Sequence, residues 1–169
     1  MGACEFGGAE PTPAPSPAEL VGATCEQREG GDPNHTPDFV RVDVSSRDGV
    51  DRVTFRFRMT RPGATEPPRF IVSYIDQLTT DGEGAPADIE GASFVSVSFQ
   101  AVGTDLTREQ PVQVYTGPKE LTPRLPTVRE LEQLGDFEGT VTWGIGLAER
   151  ECSVVRATAR ELTIEFPSG

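Results

Sequence analysis

The 169-residue chain is poor in the residues on which most enzyme chemistry rests. It has a single histidine, His35, and a single tryptophan, Trp143. It contains no Gly-x-Ser-x-Gly elbow, no phosphate-binding glycine loop and no His-Glu-x-x-His helix. His35 sits beside Pro37 in a turn-rich lead, a poor place for a positioned base, and is expected at the surface. No apolar run approaches the roughly 18–20 residues that cross a bilayer as a helix. Positive charge is scarce as well: 15 basic residues face 27 acidic ones, for a formal net charge of -12. Fourteen of the basic residues are arginine and one is Lys119. Such a chain is repelled by phosphate polymers, which argues against nucleic acid as a partner.

Cysteine is sparse and odd in number: Cys4, Cys25 and Cys152. In an oxidising compartment three cysteines make one pair and one remainder. Gly2-Ala3-Cys4 has the form of a bacterial lipobox end, in which small residues precede a lipidated cysteine. Met1 then reads as a start in place of a signal peptide. Residues 5–18, EFGGAEPTPAPSPA, are polar and rich in Gly and Pro, as a tether from membrane to folded domain should be. Residues 1–36 are therefore read as a lipoprotein N-terminus with a flexible tether, and 37–169 as one folded domain. The protein is expected outside the cytoplasm, held to the outer face of the membrane by lipid on Cys4. Cys25 and Cys152 are expected to form a disulfide; the alternative is a buried thiol at Cys152 and a loose one at Cys25. No two cysteines stand at metal-ligand spacing, so neither a metal site nor a cofactor is expected.

The remainder alternates with a period of two, the mark of half-buried strands. Val40, Val42 and Val44 form one such run. The turn signal Ser46-Arg47-Asp48-Gly49 separates it from Val53, Phe55 and Phe57. Further strands are expected at 69–75, 94–102, 112–115, 138–147, 152–157 and 161–166. Thr127 with Glu130 reads as a capping box, and Val128, Leu131 and Leu134 mark one face of a single helix over 127–134, ended by Gly135. Seven to eight short strands with one helix indicate an all-β domain, a β-sandwich or an open barrel.

Three features bear on binding. Arg52, Arg56 and Arg58 share the outer face of one strand, with Arg41 nearby. Such a row either fork-binds carboxylates, including those of wall peptides, or is a solvated face that discourages edge aggregation. Trp143, between Thr142 and Gly144, either stacks on a sugar or lies in the core; the alternate glycines Gly144 and Gly146 leave room for close backbone approach. Asp76, Asp81, Glu83, Asp88 and Glu90 crowd a loop over 76–91, read as a solvated acidic loop with calcium as the alternative.

The stretch from Gly135 to Leu147, GDFEGTVTWGIGL, resembles the AMIN-like domain of actinobacterial secreted proteins and lipoproteins. The arginine-heavy usage agrees with a GC-rich genome of that kind. Phe39-Val40-Arg41-Val42, the run 49–57, Tyr74-Ile75-Asp76, Asp81-Gly82-Glu83-Gly84, Tyr115-Thr116-Gly117 and the closing 162–166 also fit, so the resemblance covers 37–166. Cys152 departs from it. The resemblance implies an envelope domain with no catalytic motif to carry over and with peptidoglycan as the suspected ligand. The expected function is thus non-catalytic: a lipid-anchored module that binds cell-wall material, with a protein–protein adaptor of the envelope as the alternative. Arg41, Arg52, Arg56, Arg58 and Trp143 are the candidate ligand-binding residues.

Overall fold

The structure is a computed structural model that describes residues 20–169. Cys4 and the stretch 5–18 lie outside the described residues.

Two antiparallel sheets pack face to face. The larger runs in the order β1 (Arg28–Gly30), β4 (Phe70–Ile75), β5 (Ser93–Gln100), β10 (Thr140–Leu147), β9 (Val128–Phe137) and β8 (Glu120–Leu121). The smaller runs β11 (Val154–Ala157), β12 (Glu161–Pro167), β3 (Val50–Arg58) and β2 (Asp38–Arg47). A separate hairpin pairs β6 (Thr104–Asp105) with β7 (Val112–Gln113). Both sheets have free edges, so this is a sandwich and not a closed barrel.

Period-two alternation supplies the core. Val53, Phe55 and Phe57 of β3 and Leu162, Ile164 and Phe166 of β12 face Val95, Val97 and Phe99 of β5 and Val141, Trp143, Ile145 and Leu147 of β10. Phe55 meets Phe99 with ring centroids 5.1 Å apart and Trp143 at 5.9 Å, so aromatic contacts weld one sheet to the other. Each such side chain contributes about 1.5–3 kcal/mol by leaving water. A bulge between Phe39 and Arg41 shifts the phase of β2, so that Phe39 and Val42 point inward and Val40 does not share their face.

The helix expected over 127–134 is a strand. Two register shifts against β10, between Thr142 and Trp143 and between Gly146 and Leu147, insert extra residues into β9. The bulge after Val128 puts Val128 and Leu131, three apart, on the inner face, whereas Leu134 lies on the outer face against Leu78 and Ile89; two cores on opposite sides of one strand thus imitate a helical face. Thr127 does not cap a helix: its N–H donates to Asp51 Oδ2 at 2.8 Å, and its hydroxyl donates to the Pro167 carbonyl at 2.7 Å.

The fold also reaches back before residue 37. Glu29 pairs with Ile71, and the Asp32 amide donates to the Pro67 carbonyl at 2.9 Å. His35, expected at the surface, is 2% exposed, with Nδ1 2.9 Å from the Glu66 carbonyl. The lead packs because its backbone finds partners in the 66–72 segment. Cys25 and Cys152 are disulfide-bonded. Around them Thr24 and Ser153 exchange backbone hydrogen bonds, and the Arg28 guanidinium donates to the Ser153 carbonyl and hydroxyl at 2.7 and 2.8 Å.

Candidate binding face

The arginine row lies on the outer face of the smaller sheet, as alternation requires. There the charge is compensated from within. Arg56 donates to Asp43 at 2.6 Å and to Glu161 at 2.7 Å. Arg41 shares Asp43, and Arg58 donates to Asp38 at 2.6 Å. Arg52 and Arg156 both donate to Glu165 at 2.9 Å. Burial pushes the Glu165 carboxyl up, but these two guanidiniums outweigh it and hold the acid below its usual range. The four candidate arginines thus stand together, each already bonded to a carboxylate of its own sheet.

Trp143 takes the core alternative. Its ring is 0% exposed and packs among Phe39, Phe55 and Tyr115, so it offers no surface to a ligand. The glycines beside it do open the outer face to close approach. A Cβ on Gly146 would lie 2.0 Å from the Glu90 carbonyl oxygen, and one on Gly144 would lie 2.7 Å from Leu78 Cδ1. Through these gaps the 76–91 loop lays Leu78 and Ile89 on the sheet, where they form a second small core with Leu134. The loop is therefore docked, not merely solvated. Its carboxylates part company: Glu90 pairs with Arg129 at 3.2 Å, whereas Asp81 is held over β9 by its backbone N–H, which donates to the Leu134 carbonyl at 2.9 Å. Among the described residues no three His, Cys, Asp or Glu side chains group so as to hold a metal ion.

Beyond the reach of that loop the outer face of the larger sheet is open. Paired residues of antiparallel strands share a face. The Gln100 amide donates to the Arg69 carbonyl, Gln100 pairs with Thr140, and Thr140 pairs with Phe137. These four form one row across the strands. A second row runs Ile71, Ser98, Thr142 and Gly135. The result is a shelf of hydroxyls and an amide with a guanidinium at one end and an aromatic ring at the other. The row spans three strand spacings, roughly 14 Å.

Each end is hollowed. Arg69, Ile71, Ser98, Gln100 and Thr140 line a shallow cavity of about 170 Å³. Gln100 Oε1 is buried there without a hydrogen-bond partner. At the other end Asp81, Gly82, Gly135, Asp136 and Phe137 line a cleft of about 550 Å³. Gly135 makes room there for one carboxylate: a Cβ on it would lie 1.9 Å from Asp81 Oδ2. Asp136 pairs with the buried Val141, so its carboxylate turns to the inner side of the sheet, where a Cβ on Gly103 would lie 2.5 Å from its Oδ2. Asp136 accepts a hydrogen bond from the Thr104 hydroxyl at 2.7 Å. Phe137 is 66% exposed, the largest exposed aromatic among the described residues. The neighbouring strand edge is acidic too. Glu132 is pushed above the usual carboxylate range by burial, then by the charges of Glu120, Glu130 and Asp88.

Sequence reasoning missed Phe137 because the helix reading stopped at Gly135. The available signal was Glu138-Gly139, both at positive φ (50° and 76°), a two-residue hairpin turn like Asp48-Gly49 at 54° and 73°. Reading that turn makes Phe137 and Thr140 cross-strand partners.

Fold and face together define an antiparallel, disulfide-bonded β-sandwich module with an open polar sheet face. The AMIN-like domain family matches residues 37–166, and the chain belongs to that family. The family is associated with envelope proteins related to the cell wall, and with the disulfide it indicates an extracytoplasmic protein. No curated protein and no solved structure matches the chain.

Proposed function

We propose that this protein is a non-catalytic envelope module that binds cell-wall material of the peptidoglycan type through the outer face of its larger sheet. The observation that carries the reading is the uncovered row Arg69–Gln100–Thr140–Phe137, which offers a cation, an amide, a hydroxyl and an aromatic ring to one extended ligand. The arginines of the opposite face, Arg41, Arg52, Arg56 and Arg58, are the second candidate surface; a ligand carboxylate there has to compete with Asp38, Asp43, Glu161 and Glu165. The stretch from a lipidated Cys4 up to residue 19 tethers the module to the membrane, and the sandwich, which β1 and Cys25 extend ahead of residue 37, carries the binding face.

Cosedimentation with purified sacculi at low and moderate salt tests this. Saturable binding that survives moderate salt, and that falls for Phe137→Ala but not for Arg56→Ala, supports the reading. Loss with Arg56→Ala alone moves the site to the arginine face. No binding at either salt removes wall binding and leaves the adaptor function, to be sought by crosslinking in cells. An unmodified Cys4 in mass spectra of the native protein removes the lipid anchor.

A further inference from the structure

We propose, resting on the wall-binding reading, that the ligand of this face is a peptide carrying both a free side-chain amine and a carboxylate, its ammonium seated between Phe137 and Asp81 and its carboxylate on Arg69.

The two ends of the shelf differ in charge and neither is compensated. Among the described residues Asp81 forms no ion pair, nor does Arg69, whereas the arginines of the opposite sheet do. A carboxylate beside an exposed phenyl face complements an alkylammonium: the acid accepts its N–H bonds, and the ring attracts the cation while covering its methylenes. The acidic edge around Glu132 and the net charge of -12 add a field of the same sign. At the far end a guanidinium fork matches a carboxylate. Between them Gln100 Oε1, buried without a partner, awaits an N–H donor, which a peptide amide supplies. A neutral glycan leaves both charged ends without a counter-charge. Wall stem peptides combine a free amine, amides and a carboxylate within one short chain.

The experiment is calorimetric titration of the intact protein with Nα-acetyl-L-Ala-D-isoglutaminyl-L-Lys-D-Ala, a tetrapeptide with one amine and one carboxylate, with its Nε-acetylated form, with its C-terminal amide and with the N-acetylglucosamine tetramer. The free tetrapeptide is expected to bind, and acetylation to weaken it about tenfold, the effect of losing one charge-assisted contact. Asp81→Asn should weaken the free peptide by a similar factor and leave the acetylated one unchanged. Arg69→Ala should weaken the free acid and not the amide. Both side chains are exposed at the surface, so the variants keep the fold. Equal binding of acetylated and free peptide, or binding of the tetrasaccharide alone, overturns the inference. So does polylysine binding as tightly as the tetrapeptide, which marks a general site for protein lysines. If wild type and Asp81→Asn cosediment equally with sacculi, wall binding stands and this inference falls. If neither cosediments and no peptide binds, both fall.

Discussion

Asp51 offers the sharpest test of how the two sheets are joined. It sits on β3, is 0% exposed, and its Oδ2 accepts the backbone N–H groups of Thr127 and Val128 at 2.8 and 3.0 Å. Those amides open β9 in the opposite sheet, so one carboxylate latches the sandwich. Replacing Asp51 by Ala strands two buried donors, each costing about 1–3 kcal/mol. The expected loss is therefore about 2–6 kcal/mol, and at about 2–4 °C per kcal/mol the melting temperature falls by roughly 10 °C. Asp51→Asn should cost less, because an amide oxygen still accepts while its NH₂ replaces Oδ1, which has no partner. Urea unfolding followed by fluorescence of the single buried Trp143 reads both variants. A loss below about 0.5 kcal/mol for Asp51→Ala, the scale of an ordinary surface change, refutes the latch.

Gly146→Ala should destabilise the domain and loosen the 76–91 loop, because its Cβ would meet backbone, the Glu90 carbonyl; limited proteolysis within the loop should rise relative to wild type. The double substitution of Cys25 and Cys152 by Ser should cost about 2–5 kcal/mol, since the bridge closes a loop of 127 residues in sequence separation; denaturant titration checks it. Glu165 has a lowered pKa, so its contribution is present above the ordinary value of 4.5 and is lost as pH falls through the depressed folded-state value. Glu165→Gln should flatten the acid side of the stability–pH curve below 4.5; an unchanged slope refutes the pairing with Arg52 and Arg156 as its cause.

Local pattern determined much of this protein. Alternation at Val53-Phe55-Phe57 and Leu162-Ile164-Phe166 marked the core faces, because a strand sends successive side chains to opposite sides whatever its partner. Asp48-Gly49 announced its hairpin for the same reason: positive φ is a property of the residues themselves. The disulfide was legible from cysteine arithmetic, and Gly144 and Gly146 from the space they leave. Tertiary structure decided the rest. Whether Val128-Leu131-Leu134 is a helix or a bulged strand depends on the register with β10 and on a buried Asp51 about 76 residues away. Whether an arginine is free or bonded depends on which carboxylates the neighbouring strands bring alongside it, as Asp43 and Glu161 come to Arg56. The candidate binding face exists only through pairing: Arg69, Gln100, Thr140 and Phe137 are scattered in the chain, and hydrogen-bonded registers set them in one row. Short-range sterics are written in neighbouring residues, whereas long-range pairing emerges only when the whole sheet closes on its core.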